Sequence, residues 1–318
     1  LDEKGRLAGV MDKGFWEEKR ILITGGDNFV AKYVVKLLLE RGVGKNQLVI
    51  PDSEKYDLRE LRDAKKAVEG VDIVIHLAAN SKGVGYSNSF PATQFRDCSL
   101  IDLAVFEAAS LANVKKLITV SAAVSYPQDA PSPLKEEYLF QGVPGNTGYG
   151  FGFAKRNTVI LARAYRQEKA LNAVVLVPSN AYGPGQGIDL ESGHVVPSLI
   201  YKCLKDKELS VWGDGKAIRD YLYAEDFAEG ILLAAERSET SDPINLGSEE
   251  QISVKQLVDE IVDLTGFKGK ISYDTTKPKG VPIKVVDISL ARKMIGFKPK
   301  WTLHDGLEET VSWIKKQI

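Results

Sequence analysis

The stretch Lys19–Ala31, KRILITGGDNFVA, constrains this chain more than any other. Ile21, Leu22 and Ile23 make a short apolar run. Thr24-Gly25-Gly26 breaks it, and Val30, Val34, Leu37 and Leu38 recur at helical spacing behind it. That order reads as strand, tight turn, helix. It sets a helix N-terminus, with unpaired N–H groups and the positive end of its dipole, beside the tip of a buried strand, where a pyrophosphate binds well. Dinucleotide turns of this kind use glycine at up to three places, here spaced Gly-x-x-Gly-x-x-Gly. Gly25 fills the first, while Asn28 and Ala31 stand at the second and third. Asn28 tolerates a left-handed backbone but carries a side chain where phosphates approach closely. Ala31 adds a methyl to the helix–strand contact. Taken alone, the turn also fits an ordinary strand-to-helix connection.

The rest of the chain repeats the alternation. Strands are expected at Gln47–Ile50, Val71–Leu77, Lys116–Val120 and Ala173–Val177, separated by helices at Leu58–Val68, Leu100–Ala112 and Gly148–Gln167. Such alternation argues for a doubly wound parallel sheet with helices on both faces. Past Pro178 the character changes. Tyr182–Gly187 reads as a loop, and helices are expected near Val195–Lys205, Glu225–Arg237, Val254–Thr265 and Asp305–Lys316, with one strand at Arg219–Tyr223. The expected organisation is an N-terminal extension over 1–19, a dinucleotide-binding domain over 20–177 and a smaller mixed α/β substrate lobe over 178–318. Elements can still cross back between the two. The charged opening, residues 1–10, reads as a lead-in, with Met11 a candidate start.

Bulk numbers exclude several classes. A chain of 318 residues, 44% hydrophobic, can bury a large core. Its net charge of −1 gives no electrostatic footprint for nucleic acid. No apolar run reaches membrane-spanning length. Cys98 and Cys203 lie far apart, and His76, His194 and His304 are scattered, so neither disulfide nor metal site is expected and the cytoplasm is the default compartment. Asp52, just past the second strand, suits the hydroxyls of an adenosine ribose; a solvated loop acid is the other reading. Ala78-Ala79, after VDIVIHL, would let a cofactor lie against backbone.

Collinear motifs then add up. Ile23-Thr24-Gly25-Gly26, Asp57-Leu58, Asp72-Ile73-Val74-Ile75-His76-Leu77-Ala78-Ala79, Pro178-Ser179-Asn180-Ala181-Tyr182-Gly183-Pro184, Trp212-Gly213-Asp214-Gly215 and Arg219-Asp220-Tyr221 resemble, in order, the extended short-chain dehydrogenase/reductases. These are NAD(P)-dependent enzymes that epimerise, reduce or dehydrate nucleotide sugars on a Rossmann-type fold. Within them, Gly193-His194-Val195-Val196-Pro197 and Val211-Trp212-Gly213 are most similar to the GDP-L-fucose synthase branch. The resemblance implies a cofactor, NAD slightly favoured over NADP, held by Gly25, Asn28, Phe29, Val30, Asp52, Asp57, Leu58, Leu77, Ala78, Ala79 and Lys155. It implies a nucleotide sugar at Asn180, Val195, Lys202, Trp212 and Arg219, where an Arg fork suits phosphate oxygens. Trp212 could instead be core, and Lys202 merely solvated. The resemblance further implies a homodimer packing two helices per subunit, Leu100–Ala112 and Gly152–Gln167.

The same resemblance exposes losses. The family works through Tyr-x-x-x-Lys plus a serine or threonine: spacing of four puts Tyr and Lys on one helical face, and the tyrosine moves a proton while hydride moves at the cofactor. Lys155 matches the lysine, but Phe151 holds the tyrosine place and Ala122 the serine place. In GDP-L-fucose synthases a cysteine two residues after the serine works with the histidine; here that place is Val124, while His194 is kept. Ser121 is adjacent but should face the other way. Tyr149 lies six residues before Lys155, about 240° around the helix, and should point elsewhere. The expectation is a nucleotide-sugar epimerase/reductase-like protein with weakened or absent catalysis, or another group in the proton role: His194, Tyr126 or Tyr149, in that order. His194 could equally cap its helix. A non-catalytic binding or scaffolding subunit of the same fold is the alternative, and the near-neutral charge gives little support to an RNA-binding one.

Overall fold

The computed structural model describes residues 13–145, 148–188, 194–276 and 280–318. The expectations for residues 1–10, Met11 and Gly193 therefore lie outside the described residues. The first half runs β1 (Ile21–Thr24), α1 (Phe29–Glu40), β2 (Leu48–Val49), α2 (Leu61–Ala67), β3 (Ile73–His76), α3 (Val84–Ser89), α4 (Pro91–Leu111), β4 (Lys116–Val120), α5 (Tyr149–Lys169) and β5 (Ala173–Pro178). The second continues β6 (Asn180–Tyr182), α6 (Val195–Lys205), β7 (Glu208–Trp212), β8 (Ile218–Arg219), β9 (Tyr221–Tyr223), α7 (Ala224–Arg237), β10 (Pro243–Leu246), β11 (Ile252–Ser253), α8 (Val254–Thr265), β12 (Lys270–Asp274), β13 (Ile283–Lys284), α9 (Ser289–Ile295) and α10 (Leu303–Lys315).

Six strands form one all-parallel sheet in the order β10-β5-β4-β3-β1-β2. The chain reverses direction across the sheet between β1 and β3, which is where ligands bind in open α/β sheets. Helices cover both faces, so strands such as Ala173–Pro178 are buried along their whole length and read as continuous apolar runs. On α1, Val30, Ala31, Val34, Leu37 and Leu38 are the buried stripe. Helices α4 and α5 pack unusually close at Gly150: a Cβ there would stand 2.3 Å from the Pro91 carbonyl oxygen. The second lobe has its own core, built from Tyr182, Ile200, Leu257, Ile261, Leu307 and Ile314 among others.

The chain crosses back between the lobes. β10 adds to the edge of the sheet beside β5, and α7 packs on α1. Two further features differ from the sequence reading. Arg219–Tyr223 is two strands, not one: Ile218–Arg219 pairs with β11 and β13, whereas Tyr221–Tyr223 pairs with β6. The cause is a change of partner at Asp220, whose buried carboxylate accepts the Ser248 amide and hydroxyl at 2.8 Å each. The segment before β1 is also part of the core. Trp16 is 1% exposed and donates its indole N–H to Glu236 Oε1 at 2.7 Å, and Arg41 binds the same oxygen at 3.0 Å and Glu229 at 2.8 Å.

Candidate functional site

A cleft of about 1600 Å³ opens at the carboxyl ends of β1, β3, β4 and β5 and is walled on the far side by the second lobe. The turn after β1 forms its floor. Gly25 has φ +69°, and a Cβ on it would lie 2.7 Å from the Ala78 amide nitrogen, so this turn and the Leu77–Ala79 backbone approach as only glycine allows. Phe29, Val30, Asp57, Leu58, Leu77, Ala78 and Ala79 all line the cleft. Asn28 does not adopt a left-handed backbone as its residue type suggested. It is extended (φ −67°, ψ 136°) and caps α1, its side-chain oxygen accepting the Val30 N–H at 3.0 Å. One of the donors a phosphate would use is thereby already taken. The residues present fit a dinucleotide at this turn, with that one donor fewer.

Asp52 stands as a loop acid, the second of its two readings. Its carboxylate accepts the Glu54 amide and pairs with Lys55, and it is not among the residues lining the cleft. Asp27, from the turn after β1, does line the cleft and accepts the Ser53 hydroxyl at 2.6 Å. Asp57 faces the cleft but is gripped by Arg59, whose guanidinium holds its carboxyl below the usual range.

Ala122, Phe151 and Lys155 all line the cleft, the last two from one face of α5. Strand β4 ends at Val120, and Ser121 donates to the Lys155 carbonyl at 2.7 Å. Ser125 donates to the Ala122 carbonyl at 2.6 Å. Tyr149 lies outside the cleft, 48% exposed, with its ring against Phe153 at 4.7 Å. Tyr126 lines the cleft, but its hydroxyl donates to Asn245 Oδ1 at 2.7 Å, and burial pushes its pKa far up. His194 and Val195 stand on the opposite wall. His194 occupies the N-cap position of α6 without a side-chain capping bond, and surrounding protein lowers its pKa.

The second lobe brings Asn180, Trp212 and Arg219 into the cleft. Trp212 is exposed there rather than packed in the core. Asn180 uses its amide to bind the Asp220 carbonyl at 2.8 Å. Lys202 is half-exposed on α6 and does not line the cleft. Three residues the sequence reading missed stand here. Lys284 lies beside Arg219, and burial, then that neighbouring cation, pushes its pKa down to about 8. Tyr221 carries a buried hydroxyl with no hydrogen-bond partner among the described residues, as does the Gln186 side-chain oxygen. Their spacing carries no signal, since they meet only where β6, β9 and β13 converge.

Residues 21–247 match the NAD dependent epimerase/dehydratase family, and the chain belongs to that family. Curated relatives include GDP-L-fucose synthase of Sinorhizobium fredii, 31% identical over 92% of this chain and 94% of its own length. The putative GDP-L-fucose synthase 2 of Arabidopsis thaliana is 30% identical over 94% and 92%. Among solved structures, a GDP-6-OMe-4-keto-L-xylo-heptose reductase from C. jejuni superposes with a TM-score of 0.87 at 25% identity, covering 94% of this chain and 98% of the other. A GDP-L-fucose synthetase from Naegleria fowleri bound to NADP gives 0.85 at 27%, covering 94% and 95%. The family is NAD(P)-dependent, and these relatives are named for nucleotide-sugar chemistry.

Proposed function

We propose that this chain binds a nicotinamide dinucleotide and a GDP-sugar in one cleft, and that it turns them over weakly or not at all. The observation that carries the reading is the pairing in the cleft: Lys155 is in place, while Ala122 and Phe151 stand where relatives resembling it use a serine and a tyrosine. A bound nicotinamide supplies the hydride in this family. The chain's own part would be to hold the ribose with Lys155, to seat the sugar diphosphate on Arg219 and Lys284, and to move a proton at the sugar oxygen. Neither of those two positions offers a hydroxyl for the third task. His194 faces the cleft with its pKa lowered, so at neutral pH it is an uncharged imidazole and a poor proton donor.

NAD is favoured over NADP. Asp27 and Glu54 line the cleft beside the loop after β2, and the cations nearest them, Lys55 and Arg59, are paired with Asp52 and Asp57. A 2′-phosphate would meet negative charge there. A homodimer through α4 and α5 is supported by exposed apolar side chains on those helices, including Phe95, Leu100, Leu103 and Ile160. Free thiols at Cys98 and Cys203 support a cytoplasmic setting, and no helix among the described residues is long and apolar enough to cross a membrane.

Calorimetry with NADH, NADPH, GDP, UDP and dTDP tests the reading. NADH and GDP are expected to bind, and steady-state conversion of a GDP-4-keto sugar is expected to be at least about a hundredfold below that of a family member with both hydroxyls. If no dinucleotide and no nucleotide binds, the chain is a scaffolding subunit.

A further inference from the structure

Beneath the cleft floor runs a line of buried polar side chains that reaches Lys155 from behind. Asp102, on α4, is 1% exposed. Its Oδ2 lies 3.7 Å from Lys155 Nζ and accepts the Thr158 hydroxyl, and its Oδ1 lies 3.1 Å from His76 Nε2. His76 Nδ1 is in turn 2.7 Å from Thr24 Oγ1. That hydroxyl already accepts the Leu77 and Ala78 amides at 3.2 Å each, so its one proton goes to Nδ1. The network therefore assigns His76 the tautomer with its proton on Nε2, donated to Asp102. The chain of contacts runs from the residue before Gly25, through the backbone that Gly25 touches, to the lysine.

An ion pair buried this deep adds little stability over apolar side chains of the same volume. What it does is hold the Lys155 side chain 3.7 Å from a buried carboxylate. Burial alone would raise the pKa of Asp102, but Lys155, then His76 and Thr158, more than reverse this, so the carboxylate is charged. One turn before Lys155, where a phenol could share that role, stands Phe151.

We propose that Asp102 is a positioning residue: its ion pair with Lys155, tethered through His76 to Thr24, holds the ammonium for the ribose hydroxyls of a dinucleotide and keeps the site competent to bind although its proton-moving hydroxyls are missing. This rests on the cofactor reading above. The test compares the wild-type chain with Asp102→Asn and Lys155→Met by NADH titration, with GDP titration as the control at the other end of the cleft. NADH affinity is expected to fall at least tenfold in both variants, with GDP affinity within about twofold of wild type, a split that general loss of structure would not produce. A second readout needs no cofactor. Trace acylation with acetic anhydride, read by peptide mass spectrometry against Lys202, is expected to modify Lys155 at least tenfold faster in Asp102→Asn, because the wild-type carboxylate ties Nζ down at 3.7 Å. If wild type binds no NADH, the cofactor reading fails while the acylation result still decides the ion pair. Unchanged NADH affinity, or unchanged acylation, in folded Asp102→Asn overturns the proposal. If that variant does not fold, Thr158→Val, which deletes one hydrogen bond to the same carboxylate, takes its place: weaker NADH binding supports the proposal and unchanged binding overturns it.

Discussion

Restoring the two hydroxyls, Phe151→Tyr with Ala122→Ser, should raise turnover. Four residues separate 151 from 155, so on a helix their side chains lie about 40° apart in azimuth and about 6 Å apart along the axis, on one face. Both line the cleft in α5, whose packing on α4 at Gly150 holds that face steady. The Phe151 ring is only partly buried, so a para-hydroxyl enters the cleft rather than the core. Ala122 sits in extended backbone (φ −160°, ψ 149°), which serine adopts without strain. A positioned general acid/base contributes about 10²–10⁴ in rate, equivalent to about 3–5 kcal/mol of barrier. The assay is loss of reduced-nicotinamide absorbance with a GDP-4-keto-6-deoxy sugar. Each single variant should recover much less than the pair, because the two groups act on one oxygen. The reasoning fails if the double variant still binds NADH and GDP but gains less than about tenfold. It also fails if the wild-type chain is already as fast.

Three further outcomes follow from the geometry. Gly25→Ala puts a Cβ at a left-handed φ and 2.7 Å from the Ala78 nitrogen; it should cost at least about 1–2 kcal/mol from the backbone alone and weaken NADH binding more than GDP binding in calorimetry. Arg41→Leu strands Glu236, which is 1% exposed as a side chain, and should lower stability by about 3–5 kcal/mol in urea unfolding. Asp220→Asn tests a pH term. Burial pushes the pKa of Asp220 from 3.8 up to about 6, so between those values the folded chain holds a proton the unfolded chain releases, and stability falls as pH rises through that window. The variant lacks this loss, so its stability relative to wild type should improve by about 2.4 kcal/mol between pH 4 and pH 7. A difference that does not change with pH refutes the assignment.

Much of the fold was legible in order and spacing. The apolar run, glycine turn and helical period at Lys19–Leu38 are local, and β1, its turn and α1 follow them. So do α6 and α8, whose residue ranges match the expected ones because a 3.6-residue period and flanking caps are written in neighbouring residues. The same regularity puts Phe151 and Lys155 on one cleft and leaves Tyr149 out of it.

What the sequence could not show depends on partners far apart in the chain. Asp102 looked like one more acid on a helix; only the packing of α4 against β3 and α5 puts His76 on one of its oxygens and Lys155 beside the other. Trp16 stands in a stretch with no helical or strand period, yet it is buried, with Glu236 of α7 accepting its indole N–H and Arg41, just past α1, holding the same carboxylate. Asp27 lines the cleft and Asp52 does not, because loop hydrogen bonds to Ser53 and Glu54, and not strand position, set where each carboxylate lies. Periodicity determined which residues share a face of one element. Tertiary structure alone decided which faces meet, because contact between distant segments depends on how the elements pack and leaves no repeat in the chain.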